Sequence, residues 1–303
     1  MNNFTFGDVE VSRVIELSVP FAPVSVLFPS MPDDLWRQNE SWLEPDFWDA
    51  TTGFYPANFQ TWVLRSEGRT VLVDTGLGND KPREHDILNK RNGDFLAQLE
   101  AMGVRPADVD LVINTHLHGD HVGWNTRLVD GEWIPTFPNA KYVISKADYD
   151  YWNPDNGHSK KSTFGSDADG RASFADSVLP IHQAGQAVLW TGDSYRIDGD
   201  LSLELAPGHT PGSAVLRLES GTDRVLFVGD VVHSPLQIIE PDHDTCLSED
   251  QVEASRSRHR ILDQAVTTNS LVVPAHLGAA WAAEVTRSNG TYSIKRWESD
   301  SAS

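Results

Sequence analysis

Between Thr115 and Trp124 the chain reads THLHGDHVGW, so three histidines and an aspartate fall within the six residues 116–121. The preceding run, DLVINTH, is short and apolar, which predicts a buried strand that ends where the histidines begin. Side chains alternate along a strand, so His116 and His118 point the same way. Asp120 and His121 follow across Gly119, where the chain can turn sharply and return both to the same point. Imidazoles and carboxylates crowded like this are the donor set of a metal site. A helical zinc motif would space its histidines four apart. The HxHxDH spacing instead suits two adjacent metals fed from one strand end.

Further candidates stand at other strand ends. His209 lies in the Pro/Gly-bounded turn APGHTPGS after the strand-like LSLELA, Asp230 ends DRVLFVGD, and His276 ends SLVVPAH. Strand ends are where α/β sheets place their active sites. Around them, TWVLRS and TVLVDTG read as a hairpin about Glu67-Gly68, and AKYVIS as another strand. GDFLAQLEAMG reads as a helix stopped at Gly103. SKADYDYW predicts a helix N-capped by Ser145, and SEDQVEASRSRHRILDQAV one opened by a Ser248/Gln251 capping box. Residues 153–180, rich in Asn, Asp, Gly, Ser and Lys, read as an excursion, either a lid or a short helical insert. Strands in two groups with helices between them predict a layered α/β architecture in one domain over residues 1–303.

Composition excludes several classes. Hydrophobic residues make up 39% and charged residues 22% of the 303, as in a chain with a real core. The net charge of −20 repels phosphate backbones and argues against nucleic acid as a partner, and bound cations would offset part of it. Cys246 is the only cysteine, so no internal disulfide forms. The N-terminal MNNFTFGDVEVSRVIEL lacks the charged and apolar regions of a signal peptide, and no apolar run approaches the roughly 20 residues of a membrane span. A cytoplasmic location without membrane partners is the expectation.

With VLVDTG upstream, the ordered motifs THLHGDH, APGHTPGS, FVGD and PAH resemble the metallo-β-lactamase superfamily from about Thr61 to His276. The resemblance implies a four-layer αββα sandwich with a dinuclear metal site at one edge of the sheets. It implies that His116, His118 and His209 hold one metal, that Asp120, His121 and His276 hold the other, and that Asp230 bridges them. It also makes Asp74 a supporting residue of the site, although a tight turn alone favours aspartate there. Five imidazoles and two carboxylates suit two Zn²⁺, while Fe or Mn would accept the same mixture. A hydroxide bridging two metals about 3.5–4 Å apart is a nucleophile at neutral pH, so metal-assisted hydrolysis is the expected reaction. The catalytic candidates are Asp120, itself among those ligands, and His233.

Within the superfamily, the Asp120-His121 pair together with Asp230 resembles the lactonase, glyoxalase II and phosphotriesterase-like branches rather than the β-lactamases. His233, three residues after Asp230, stands where many lactonases carry tyrosine. A histidine there resembles the branch of methyl parathion hydrolase and related lactonases. It either donates a proton to a leaving group or orients the substrate, or it is a structural histidine. The leading expectation is a dinuclear zinc hydrolase that opens a small-molecule lactone or cleaves a related ester. The alternatives are an aryl phosphotriesterase and, from a different class, an iron-dependent redox protein of the same fold. Trp36, Trp42 and Trp48 mark an aromatic segment at about 20–58 that walls a substrate pocket, forms a satellite core or makes a dimer contact. The apolar VPFAPVSVLFPSM within it is a candidate homodimer surface. His158 and His182 lie in or near the excursion and are left outside the site, and His85, His243 and His259 have no constellation around them.

Overall fold

A computed structural model describes residues 3–163 and 166–299, so residues 164 and 165 of the expected excursion lie outside the described residues, as do the chain's first two and last four. The described residues form two seven-stranded sheets and a small hairpin. The first sheet runs in the order Phe4–Phe6, Val9–Pro23, Phe54–Ser66, Arg69–Val73, Leu111–Ile113, Lys141–Ser145 and Ala187–Trp190. The second runs Ser194–Arg196, Leu201–Leu205, Ala214–Ser220, Asp223–Gly229, Leu271–Pro274, Ala280–Ser288 and Thr291–Ser299. Arg69–Val73, Leu111–Ile113, Lys141–Ser145 and Ala187–Trp190 pair in parallel, as do Asp223–Gly229 and Leu271–Pro274.

The layering follows from the period of two along each strand. Trp62, Leu64, Val71, Val73, Leu111, Ile113 and Val143 face Leu216, Leu218, Val225, Phe227 and Val273 of the other sheet in one buried core. Trp62 meets Phe227 edge-on across the layers, with ring centroids 5.5 Å apart. The alternate residues Val63, Leu72, Val112, Tyr142 and Ile144 face outward and pack on Phe95, Leu99, Tyr149 and Phe174. On the other outer face, Val215, Leu226, Val228 and Val272 meet Ile261, Leu262 and Ala265 of the helix Gln251–Thr268. Three cores between helix, sheet, sheet and helix make the four-layer αββα sandwich. Strands buried on both faces explain the continuous apolar runs in the sequence.

The expected hairpin about Glu67-Gly68 and the helix Phe95–Ala101 are present. Helix starts differ in detail. Ser145 occupies the N-cap position of Lys146–Trp152, but its side chain makes no capping bond. The long helix begins at Gln251, and its cap is Asp250, whose carboxylate accepts the Glu253 N–H at 3.0 Å. Ser248 is drawn away from capping because its hydroxyl is buried between Asp244 and His209. No helix among the described residues is long and apolar enough to cross a membrane.

The aromatic segment folds as a satellite core. Leu27, Phe28, Met31, Trp36, Leu43, Phe47 and Trp48 are buried against Tyr55, Phe59 and Leu277 of the same chain. The apolar run offered as a dimer surface thus spends Val24, Leu27, Phe28 and Met31 inside the molecule and exposes Val26.

The described part of the excursion is a helical insert, with turns at Asp167–Ser173, Phe174–Val178 and Leu179–Gln183. Its anchor is the buried Asp176. Arg83 grips that carboxylate with two bonds, at 2.7 and 3.1 Å, and the Lys81 ammonium lies 3.5 Å away. Lys81 also donates to the Thr126 hydroxyl and the Asp176 carbonyl, and sits 3.6 Å from the centroid of the Trp133 ring. Removing the anion leaves the buried Arg83 cation uncompensated and takes from Lys81, whose pKa burial already lowers to about 7, the charge that favours its protonated form. Asp176→Ala should therefore lower unfolding free energy by about 3–5 kcal/mol in urea titrations. A loss below about 1 kcal/mol, as at an exposed pair, would mean the insert is held some other way.

Candidate metal centre

Five strand ends converge on one edge of the sandwich. Asp74 follows Arg69–Val73, and Thr115 and His116 follow Leu111–Ile113 in the first sheet. His209, Asp230 and His276 follow Leu201–Leu205, Asp223–Gly229 and Leu271–Pro274 in the second. The sheets approach closely there: a Cβ on Gly229, at φ +53°, would lie 2.9 Å from the Thr115 hydroxyl. Only glycine supplies both that backbone and that clearance. The Ala214 N–H then donates to the Thr115 carbonyl at 2.8 Å, linking the two sheets beside the site.

The seven residues named from the sequence fall into two groups whose donor atoms converge, His116, His118, His209 and Asp230 in one and Asp120, His121 and His276 in the other. In the first, His116 Nε2 lies 3.0 Å from His118 Nδ1 and 3.2 Å from His209 Nε2, and His118 Nδ1 lies 2.9 Å from His209 Nε2. Three ring nitrogens so close need something between them. A tetrahedral ion at about 2.0–2.1 Å from each would space them about 3.3 Å apart. In the second group, Asp120 Oδ2 lies 3.4 Å from His121 Nε2 and 3.5 Å from His276 Nε2. Asp230 joins the groups. Its Oδ2 is 3.3 Å from His209 Nε2 and 3.4 Å from His121 Nε2, and its Oδ1 is 3.2 Å from His276 Nε2. His233, buried, adds its Nε2 at 3.1 Å from Asp230 Oδ2.

Neighbouring acceptors set the tautomers. His121 Nδ1 faces Asp74 Oδ2 at 2.8 Å and His276 Nδ1 faces the Asn58 carbonyl at 3.0 Å. Both partners only accept, so these rings carry hydrogen on Nδ1 and turn Nε2 inward toward the carboxylates. His116 Nδ1 lies 3.2 Å from the Thr115 hydroxyl, which donates its own hydrogen to Asp74. Asp74 thus holds a ring of each group, directly or through Thr115, while its other oxygen accepts the Thr115 N–H at 2.7 Å.

Charge points the same way. Burial, with His121 beside it, holds His116 well below the usual histidine range, and burial and His209 do the same for His118. Burial opposes a charge on His121 too, but Asp230, Asp120 and Asp74 outweigh it and hold that ring well above its ordinary value. Burial likewise disfavours ionised Asp120 and Asp230, and the surrounding imidazoles overcome it and lower both. The pocket thus demands positive charge beside its carboxylates and offers neutral imidazole nitrogens to receive it. His121 Nε2 and Asp230 Oδ1, both buried, have no hydrogen-bond partner. The donor set fits a dinuclear metal site.

A cavity of about 360 Å³ opens onto this cluster. Asp120, Asp230, His118, His233 and His276 line it, with Phe21, Leu27, Phe28, Tyr55 and Phe59 from the N-terminal segment and Trp152, Asp169 and Ser173 from the insert side. The segment contributes these phenylalanines, Leu27 and Tyr55, and none of its three tryptophans lines the cavity. His85, which had no constellation in sequence, lines the same cavity and stacks on Phe21 with centroids 5.1 Å apart. His158 and His182 instead pack on Tyr151 and Tyr149, while His259 meets Asp242. Asn58 gave no sequence signal and Ser248 signalled only a helix cap, because each acts on the site across a fold contact that no local pattern announces. Asp74→Ala should weaken binding of both metal equivalents about 10–100-fold when metal-free protein is titrated with Zn²⁺ against a competing chelator. Unchanged affinity would remove the supporting role of Asp74.

Known proteins match over the same span. Residues 60–276 match the Metallo-beta-lactamase superfamily. N-acyl homoserine lactonase AttM of Azorhizobium caulinodans is 29% identical over 196 residues, which is 61% of this chain and 65%, just under two thirds, of that relative. Metallo-beta-lactamase domain-containing protein 1 of Xenopus laevis is 33% identical over 213 residues, 68% of this chain and 66% of its own length. Among solved structures, AidC, a dizinc quorum-quenching lactonase in complex with a product, superposes over 100% of this chain and 98% of its own with a TM-score of 0.77 at 20% identity. With the family's span reaching from within the strand Phe54–Ser66 to His276 and taking in every residue of the two donor groups, this chain belongs to the metallo-β-lactamase superfamily.

Proposed function

We propose that the protein is a metal-dependent hydrolase that opens a lactone or cleaves a related ester. The observation that carries this reading is the pairing of the two donor groups with an aromatic-walled cavity of about 360 Å³ that ends on them. That volume lies within the range of small-molecule sites, and apolar walls around a few polar groups suit an acyl or alkyl substituent rather than a polymer. The lactonase relatives support the choice of substrate class.

In this reading His116, His118 and His209 hold one ion, Asp120, His121 and His276 the other, and Asp230 lies between them. Imidazoles and carboxylates suit Zn²⁺, and the likeness to a dizinc lactonase makes it the ion we infer. When bound, the pair supplies Lewis acidity at the ester carbonyl and brings a water's pKa toward neutrality.

The chain's own residues do the rest. Phe21, Phe28 and Phe59 take the apolar part of the substrate and exclude water from it. Asp120 has a side chain 22% exposed against 4% for Asp230, so of the two carboxylates lining the cavity it is the more open one, and it accepts a hydrogen bond from the water nucleophile. His233 is held by a Tyr55 hydroxyl bond to its carbonyl at 2.7 Å and a Gln237 side-chain bond to its N–H at 2.8 Å. Its ring lines the cavity beside Asp230, where an N–H can meet the oxygen that leaves as the ring opens.

Proton release should be measured with zinc-loaded and metal-stripped protein. The substrates are short- and long-chain homoserine lactones, simple γ- and δ-lactones, an aryl ester and an aryl phosphotriester. Metal-dependent turnover concentrated on lactones is expected. Turnover mainly on the phosphotriester, or none from protein confirmed to hold two zinc ions, would overturn the substrate class. His233→Ala should lower kcat by about 100-fold or more while both metal equivalents remain bound. Unchanged kinetics would leave His233 a structural residue.

A further inference from the structure

Asp148 lies in the helix Lys146–Trp152, outside both donor groups, and is fully buried. Its Oδ2 accepts the N–H of Leu117 at 3.0 Å, and its Oδ1 accepts the N–H of Gly212 at 2.6 Å. The Thr210 hydroxyl lies beside it and favours its ionised form. Leu117 is the residue between His116 and His118, while Thr210 and Gly212 follow His209 in its turn. One carboxylate therefore joins the backbone of the loop carrying two histidines of the first group to the backbone of the loop carrying the third.

The contact is built to close tolerance. A Cβ on Gly212 would fall 2.4 Å from the Asp148 backbone nitrogen and 2.7 Å from the Ser145 hydroxyl, so only glycine lets the His209 turn sit on this helix. Ser145 and Asp148 both pack against the Gly212 turn from the helix start. The second group is held by other means: His121 by Asp74 and His276 by the Asn58 carbonyl. A buried carboxylate must accept several donors to stay in the interior, and the donors it has accepted are the ligand loops themselves.

We propose that Asp148 is a positioning residue that sets the spacing of His118 and His209, and thereby the metal affinity of the three-histidine group alone. It touches neither substrate nor reacting atoms. The inference rests on the donor groups and not on the lactone reading, and its test does not use turnover.

Metal-free wild type, Asp148→Asn and Asp148→Ala are titrated with Zn²⁺ against a chelator and, separately, with Co²⁺ followed by its visible absorption. Thermal melts of the metal-free proteins run in parallel. The expected result is that Asp148→Ala weakens one of two equivalents by about 10–100-fold and spares the other, with Asp148→Asn between it and wild type. In a His209→Ala background, Asp148→Ala should leave the affinity of the remaining equivalent unchanged, because the group it serves is already gone. If Asp148→Ala does not fold, Asp148→Asn and Gly212→Ala decide, the latter by forcing the same loops apart from the other side. Two equivalents at wild-type affinity alongside a lowered Tm would make Asp148 merely structural and overturn the proposal. Equal weakening of both equivalents would overturn its selectivity.

Discussion

The buried carboxylate of Asp230, ringed by the imidazoles of His116, His121, His209, His233 and His276, sets the terms for everything around it. An ionised carboxylate withdrawn from water costs several kcal/mol unless opposite charge or hydrogen bonds compensate it. Here the nearest groups are neutral or weakly basic rings, so the charge is met by protons on His121 and His276 or by cations held among them. A site of this kind exists only if the surrounding structure will not relax away from it. The acceptors behind the rings, Asp74, Thr115 and the Asn58 carbonyl, provide that resistance.

The sandwich supplies stiffness from the other direction. Five strands end on one edge, and four of them are locked by apolar residues on both faces, while Leu201–Leu205 packs Leu201 and Leu203 into the core between the sheets, so their last residues are delivered to fixed positions. Loops at such an edge would ordinarily be the mobile part of the fold. In this chain they are pinned. The Glu249 carboxylate accepts from the Lys161 and Ser162 N–H groups and from Tyr151, while its own N–H donates to the His209 carbonyl. The insert and the His209 turn are thus tied through one residue. Asp176 ties the far side of the insert to Lys81 and Arg83.

Much of this was legible in the residues. Short continuous apolar runs in VLVDTG, DLVINTH and DRVLFVGD announced strands, and the position of histidine or aspartate at their ends announced a convergence, because a strand's direction is local and an edge is where strands stop. The long helix was legible, but its cap was misassigned to Ser248. The hydroxyl there answers to His209 and Asp244, which are near only after folding. The tryptophans were legible as an apolar segment with pocket wall, satellite core and dimer contact all open, and the fold chose the satellite core, since composition does not say which partner an aromatic ring will find.

Local chemistry alone therefore determined the strands, the donor types and their grouping at strand ends, because strand direction, side-chain alternation and metal preference act over a few residues. Tertiary structure decided which side chains stand behind the donors, how the insert is anchored and which face of the N-terminal segment meets the cavity. Asp148 shows the reason most plainly. It bonds residues 31 positions before it and 64 after it, and no pattern confined to its own helix distinguishes it from a solvated aspartate. Only the closing of two sheets onto one edge removes it from water and gives its oxygens those partners.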